Sequence, residues 1–143
     1  MHMTALSNDD LEPLRDALIL AGLPADDLNL PGRRFFSFRQ QDSDVAFGGI
    51  EGTGSDRLLR SLVVVEGRRG QGTGALVLAA LEAFAKNEGV EWVHLLTESA
   101  TAFFAAHGYQ VQERSLAPAS ICATVQFKRL CPASAAYLSK RLA

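Results

Sequence analysis

The residues richest in chemistry stand together in this sequence, as Arg68-Arg69-Gly70-Gln71-Gly72-Thr73-Gly74. An apolar run, residues 58–65, precedes them and an alanine- and leucine-rich segment follows, so the order expected is strand, glycine-rich turn, helix. The first amides of a helix lack intrahelical partners and carry the positive end of its dipole, which makes such a turn an anion site. Glycine suits it because a side chain would hold a phosphate off the backbone and oppose positive φ. Two common nucleotide motifs do not fit. No Gly-Lys-Ser/Thr follows, as a triphosphate loop needs, and Gly70-x-Gly72-x-Gly74 lacks the Gly-x-Gly-x-x-Gly spacing of a dinucleotide site.

A charged pair is the second candidate. Arg60 shares strand alternation with Leu62 and Val64, so it is expected on their face, where its fork of donors could hold a substrate carboxylate. Glu51, on the adjacent antiparallel strand, could bind or deprotonate an ammonium group. The other reading stands equally open: the two salt-bridge each other or face solvent. His107 reads as a helix-end cation and Trp92 as core. Cys122 and Cys131 are too few for a disulfide framework and lack metal-ligand spacing with the three histidines, so no metal is expected.

Composition bounds the rest. A chain of 143 residues is long enough for one domain with a sizeable core, here taken as 1–143. A net charge of −2 gives no electrostatic reason to expect nucleic acid or an anionic membrane as partner. No apolar run reaches the ~20 residues of a membrane span, and the start Met1-His2-Met3-Thr4 lacks a basic segment followed by an apolar one. A cytoplasmic location is expected.

The elements that must position these residues follow from periodicity and punctuation. Residues 3–6 suit a short strand, and Ser7 or Asn8 can cap a helix carrying Leu11, Leu14, Leu18 and Ala21 to the break at Gly22. Strands are expected at 34–40 and 45–51, joined by Asp42-Ser43-Asp44, with a second hairpin loop at 52–56 before the central strand. A helix over about 72–88 should bury Leu76, Ala79, Ala80, Ala83 and Phe84. The strand at 91–97 then lies parallel to the central one, because it is reached by a crossover. A short helix over 100–107 with Phe103 and Phe104 buried, a strand at 109–114, a helix over 118–127 and a closing strand at 135–141, read as a possible edge able to pair two subunits, complete the chain. The class is α/β, with a mixed sheet flanked by helices.

Arg69-Gly70-Gln71-Gly72-Thr73-Gly74 matches Arg/Gln-x-x-Gly-x-Gly/Ala, and in this the chain resembles the GCN5-related N-acetyltransferase (GNAT) superfamily. Gly108-Tyr109, Ala21-Gly22-Leu23-Pro24 and Leu130-Cys131-Pro132-Ala133-Ser134-Ala135 are similar to the N-acetyltransferases of arsenic-resistance operons, within a likeness over nearly the whole chain. The resemblance implies a single domain with antiparallel N-terminal strands and a central splayed parallel pair. It implies acetyl-coenzyme A as cosubstrate, its diphosphate on residues 69–74 and its arm along Leu62, Val63 and Val64, with Thr97 on the second splayed strand. The amide of Leu62 would hold the thioester oxygen, and the acceptor would be a small amine, an amino acid or amino-acid-like toxic compound in the narrower reading. Phe104 stands where the superfamily often has a tyrosine acid, and Thr97 where many members carry asparagine. Tyr109, Tyr137 and Cys131 are the remaining proton-donor candidates, and an inactive acyl-coenzyme A-binding module is the alternative. Cys131 reads either as a small buried side chain or as a group near the acetyl.

Overall fold

The computed structural model describes residues 1–130 and 134–142. Seven strands, β1 (His2–Ala5), β2 (Arg33–Gln40), β3 (Ser43–Glu51), β4 (Asp56–Val64), β5 (Trp92–Thr97), β6 (Gln110–Gln112) and β7 (Ala136–Arg141), form one sheet in the order β1-β2-β3-β4-β5-β7-β6. The first four pair antiparallel in sequence order, β4 and β5 are parallel, and β7 runs antiparallel between β5 and β6. The closing strand is therefore interior, contrary to its expected place at an edge. The edges are β1 and β6.

Helices cover both faces. α1 (Glu12–Leu20) starts with Pro13 in its first turn, where a missing N–H leaves no bond unmade. Asp9 and Asp10 fall in a separate 3-10 turn, and the Ser7 hydroxyl bonds Asp10 instead of capping a helix. Leu14 and Leu18 of α1 pack with Leu11, Leu28, Phe35, Phe47 and Val63. On the opposite face α2 (Thr73–Asn87) buries Val77, Leu78, Leu81 and Ala85 against Phe36, Phe38, Ile50, Leu59 and Leu95. This is a rotation from the expected flank, since Leu76 is 60% exposed. Gly48 sets it: a Cβ there would lie 2.6 Å from Leu81 Cδ1, so the helix rests directly on the strand backbone. Trp92, expected in the core, is 40% exposed.

The remaining helices are short. α3 (Thr101–Ala106) buries Phe104 and leaves Phe103 half-buried. The expected helix over 118–127 is instead two pieces, α4 (Ala119–Cys122) and a π-type turn at Gln126–Leu130, preceded by a 3-10 turn at Arg114–Leu116. Among the described residues no helix is long and apolar enough to cross a membrane.

Two irregularities in β4 set the geometry at the centre of the sheet. In the β3–β4 register Phe47 faces Val63 and Gly49 faces Arg60, so two steps on β3 match three on β4. Ser61 and Leu62 are thereby left out of register, with Ser61 at φ 60°. This is a β-bulge, which inserts one residue and reverses side-chain alternation beyond it. The second irregularity is that β4 pairs with β5 only at Asp56, Arg57 and Leu58, after which the strands diverge.

Candidate functional site

The bulge corrects the strand-parity argument for Arg60. Counted across it, Arg60 shares a face with Val63, against α1, while Leu62 and Val64 pack toward the α2 core. On the α1 face Arg60 enters an ion-pair cluster. Its Nη1 donates to Asp27 Oδ2 at 2.6 Å and to Glu51 Oε1 at 2.9 Å, and its Nη2 donates to Asp27 Oδ1 at 2.6 Å. Arg33 adds a bond from Nη2 to Asp27 at 2.9 Å and lies 3.5 Å from Glu51 Oε2. The Arg60 side chain is 0% exposed, so its fork is committed to protein carboxylates.

Burial alone would push the Asp27 carboxyl up, but the hydrogen bonds and charge of Arg60, then those of Arg33, outweigh it and hold the group below the usual carboxylate value. Burial likewise opposes the Arg60 charge, and Asp27 and then Glu51 reverse that, so the guanidinium pKa is raised. Of the two readings open for Glu51 and Arg60, the structure shows the ion pair. Asp27 and Arg33 complete it, and sequence spacing offered no signal for either.

The fork between β4 and β5 opens into a cavity of about 880 Å³. Its walls include residues 59–64, Arg68, Arg69, Gly70, Gly72, Thr73 and Gly74, with 95–100 of β5 and its following loop, Phe103, Phe104, Gln126 and Ala135. At one end lies the start of α2. Gly72 occupies the N-cap at φ 76° with no side-chain cap, and the first turn holds no acidic residue. A Cβ on Gly70 or Gly72 would meet nothing within 4 Å, whereas one on Gly74 would face Phe103 at 3.4 Å. Open glycines before unpaired helix amides are a fitting seat for a phosphate. Arg69 folds back to donate from Nε to the Val64 carbonyl at 3.2 Å, and Gln71 is exposed, outside the cavity wall.

Beyond these residues the wall mixes apolar side chains with Thr97, Glu98, Ser99 and Gln126. Phe104 is buried and packs edge-on against Tyr109. The Thr97 hydroxyl accepts the Ala100 amide at 3.0 Å, which starts α3. Tyr109 is not on the cavity wall: its hydroxyl donates to Glu82 at 2.8 Å, and Lys140 donates to the same carboxylate. Burial, then the Glu82 charge and hydrogen bond, raise its pKa further. Tyr137 is also behind the wall, hydrogen-bonded at 2.7 Å to His94 Nδ1, whose Nε2 lies 2.7 Å from Asp56. Burial is the main cause of its raised pKa. His107 bonds the Phe103 carbonyl at the end of α3. Cys131 lies outside the described residues. Among the described residues no group of three or more His, Cys, Asp or Glu could hold a metal ion.

Gln126 is the wall residue that sequence reasoning missed. It is 5% exposed, and its Oε1 is buried without a hydrogen-bond partner. No periodicity marks it, because a glutamine in an irregular segment reads as surface.

Solved structures share the whole architecture. N-acetylglutamate synthase from Neisseria gonorrhoeae, complexed with coenzyme A and N-acetyl-glutamate, matches with a TM-score of 0.75 at 14% identity, over 100% of this chain and 36% of the synthase. The chain thus spans about a third of the length of that relative. A GNAT family acetyltransferase from Elizabethkingia anophelis with acetyl-CoA bound gives 0.75 at 16%, covering 99% and 97%. Tetrahymena GCN5 gives 0.79 at 11%, covering 100% and 97%. No curated protein matches the chain significantly in sequence. Residues 31–111, which hold β2 to β5, most of β6, the glycine turn and both strands of the fork, match the model of the acetyltransferase (GNAT) domain, and the chain belongs to that family.

Proposed function

We propose that this chain is an acetyl-coenzyme A-dependent N-acetyltransferase acting on the amine of a small molecule. The observation that carries the reading is one cavity joining an uncapped, glycine-lined helix start to an unpaired strand edge. The residues present fit the cosubstrate. Amides at Thr73 and Gly74 would hold the diphosphate, with Arg68 and Arg69 adding positive charge at the rim. The edge of β4 beyond Leu58 has no strand partner on the β5 side, so its main chain is available to the amide-containing arm along Leu62, Val63 and Val64. When bound, acetyl-coenzyme A supplies an activated acyl carbonyl and a thiol leaving group.

The Leu62 amide is assigned to the carbonyl oxygen. Leu62 falls outside the β3 register, and a preorganised donor of this kind often contributes the largest share of rate. The Glu51 carboxylate is engaged by Arg60 and Arg33, so its part is to fix the strand that carries Leu62. Thr97 positions α3 and hence Phe104. No tyrosine lines the cavity among the described residues, and we assign thiolate protonation to solvent entering through the open mouth.

The narrower reading, an amino acid or an amino-acid-like toxic compound of the arsenic-resistance type, rests on the likeness of residues 21–24 and 130–135. Such an acceptor calls for a cation, and Arg60 is already neutralised by Asp27 and Glu51. The geometry favours an amine without a carboxylate. A second reading, a binding module without turnover, is favoured by Phe104 in place of an acid. Release of free thiol from acetyl-coenzyme A across a panel of small amines, amino acids and polyamines decides between them: coenzyme binding with no thiol release for any member overturns the transferase reading. A cytoplasmic site of action remains part of the proposal.

A further inference from the structure

The cavity wall holds one buried polar group that the fold does not use. Of the other polar side chains of β4, β5 and the loop after β5 on this wall, three are spent: Arg60 on Asp27 and Glu51, Ser61 as acceptor of Arg60 Nε at 3.4 Å, and Thr97 as acceptor of the Ala100 amide, while Ser99 is exposed. Glu98 is exposed at the rim. Gln126 differs, being 5% exposed on the cavity wall with a buried, unpartnered Oε1. A buried amide oxygen left unsatisfied is destabilising relative to its hydrogen-bonded state. Folding does not select such a group for stability; a ligand N–H restores the missing bond.

The segment around Gln126 is held firmly. The Thr124 hydroxyl donates to the Ile121 carbonyl at 2.7 Å and accepts the Phe127 amide at 3.3 Å, and Phe127 packs edge-on against Tyr137 at 5.5 Å. The turn at Gln126–Leu130 is thus tied to α4 and to β7, which fixes the backbone that carries Gln126. The same wall includes Leu96, Phe104 and Ala135. An amide oxygen accepts and carries no charge, so it selects a donor without requiring a cation.

We propose that Gln126 determines acceptor specificity: its Oε1 receives an N–H of a compact, mostly apolar amine, an inference that rests on the transferase reading above. Gln126 orients and selects; it does not remove a proton.

The test uses Gln126→Met, of similar volume without the amide, and Gln126→Glu, which restores an acceptor oxygen. Butylamine, benzylamine and phenethylamine serve as acceptor probes, and coenzyme A as the ligand in calorimetry. For Gln126→Met we expect KM for the amine to rise about 10- to 100-fold, as loss of one buried hydrogen bond implies. kcat should change less than about threefold, and the coenzyme A Kd less than about twofold. Because the orphan oxygen is gone, the thermal midpoint of the free protein should rise by roughly 2–4 °C, which a merely structural glutamine would not give. Gln126→Glu should recover at least part of the KM. Unchanged KM in Gln126→Met with normal wild-type thiol release, or a lowered midpoint, overturns this inference alone. Absence of thiol release by the wild-type protein overturns the transferase reading and this inference with it.

Discussion

Gly72 and Gly74 are equivalent in the sequence motif and different in the structure, and substituting each tests the anion seat. A Cβ on Gly72 enters open space at the cavity wall, where, on the proposed reading, a phosphate would approach the first amides of α2. In Gly72→Val the branched side chain stands between the phosphate and about two of those amides. Charge-assisted hydrogen bonds of this kind contribute about 1.5–3 kcal/mol each, so the loss is about 3–6 kcal/mol, or about 10²- to 10⁴-fold in Kd. The φ of 76° adds a strain of about 2 kcal/mol that lowers stability without bearing on affinity.

Gly74 is the built-in contrast. Its Cβ would face Phe103 at 3.4 Å and Val64 at 3.9 Å, away from the seat, and it stands inside the helix, where alanine is better than glycine by roughly 0.5–1 kcal/mol. Gly74→Ala should therefore bind coenzyme A within about threefold of the unsubstituted chain and melt no lower. Calorimetry with coenzyme A, repeated with pantetheine, isolates the diphosphate: Gly72→Val should weaken the first and leave the second within about twofold. Equal losses for both ligands, or a coenzyme A affinity unmoved by Gly72→Val, would refute the argument that helix amides carry the anion.

Other residues give sharper checks on the scaffold. Asp27→Asn leaves the enclosed Arg60 guanidinium with Glu51 alone, and urea unfolding should show a loss of about 3–5 kcal/mol. Because the folded-state pKa of Asp27 is depressed, its contribution is complete above the unfolded value near ~3.9 and is lost as pH falls through the folded value. Acid unfolding should accordingly steepen below about pH 4, and less so in Asp27→Asn. Ser61→Gly, free to hold φ 60°, should keep coenzyme A affinity within about twofold, whereas Ser61→Val should lose roughly 2 kcal/mol of stability and weaken coenzyme binding as the bulge straightens. Tyr109→Phe removes the bond to Glu82 and should cost about 1 kcal/mol in urea unfolding while leaving the pH profile of kcat unmoved; a displaced profile would return Tyr109 to the proton path.

Much of the fold was legible because its signals are local. Glycines punctuate the hairpins and helix ends, and the strand-turn-helix order around residue 70 marked the seat for an anion. Three misreadings share a different origin, since each depends on a partner distant in sequence. α2 is alanine-rich on every side, so periodicity could not choose its buried flank; Gly48, across the sheet, lets Leu81 approach and sets the rotation. Asp27 meets Arg60 from 33 positions away, in a loop whose composition reads as solvated. Gln126 acquires meaning only where its turn closes over the fork.

The parity error at Arg60 is the most instructive, because the same irregularity that caused it builds the site. Strand alternation holds only while every residue stays extended, and a serine at positive φ carries no warning such as a glycine would give. With an unbroken β4, Arg60, Leu62 and Val64 would share one face, and a buried guanidinium would stand beside the arm of a thioester. The extra residue at the bulge turns Arg60 toward Asp27 and Glu51, where its charge is neutralised, and leaves Leu62 out of the β3 ladder in the part of β4 that no longer pairs with β5. One residue of backbone thus separates the charge that fixes the sheet from the uncharged edge proposed to receive the acyl donor. This is why Ser61→Val is expected to weaken coenzyme binding and stability together.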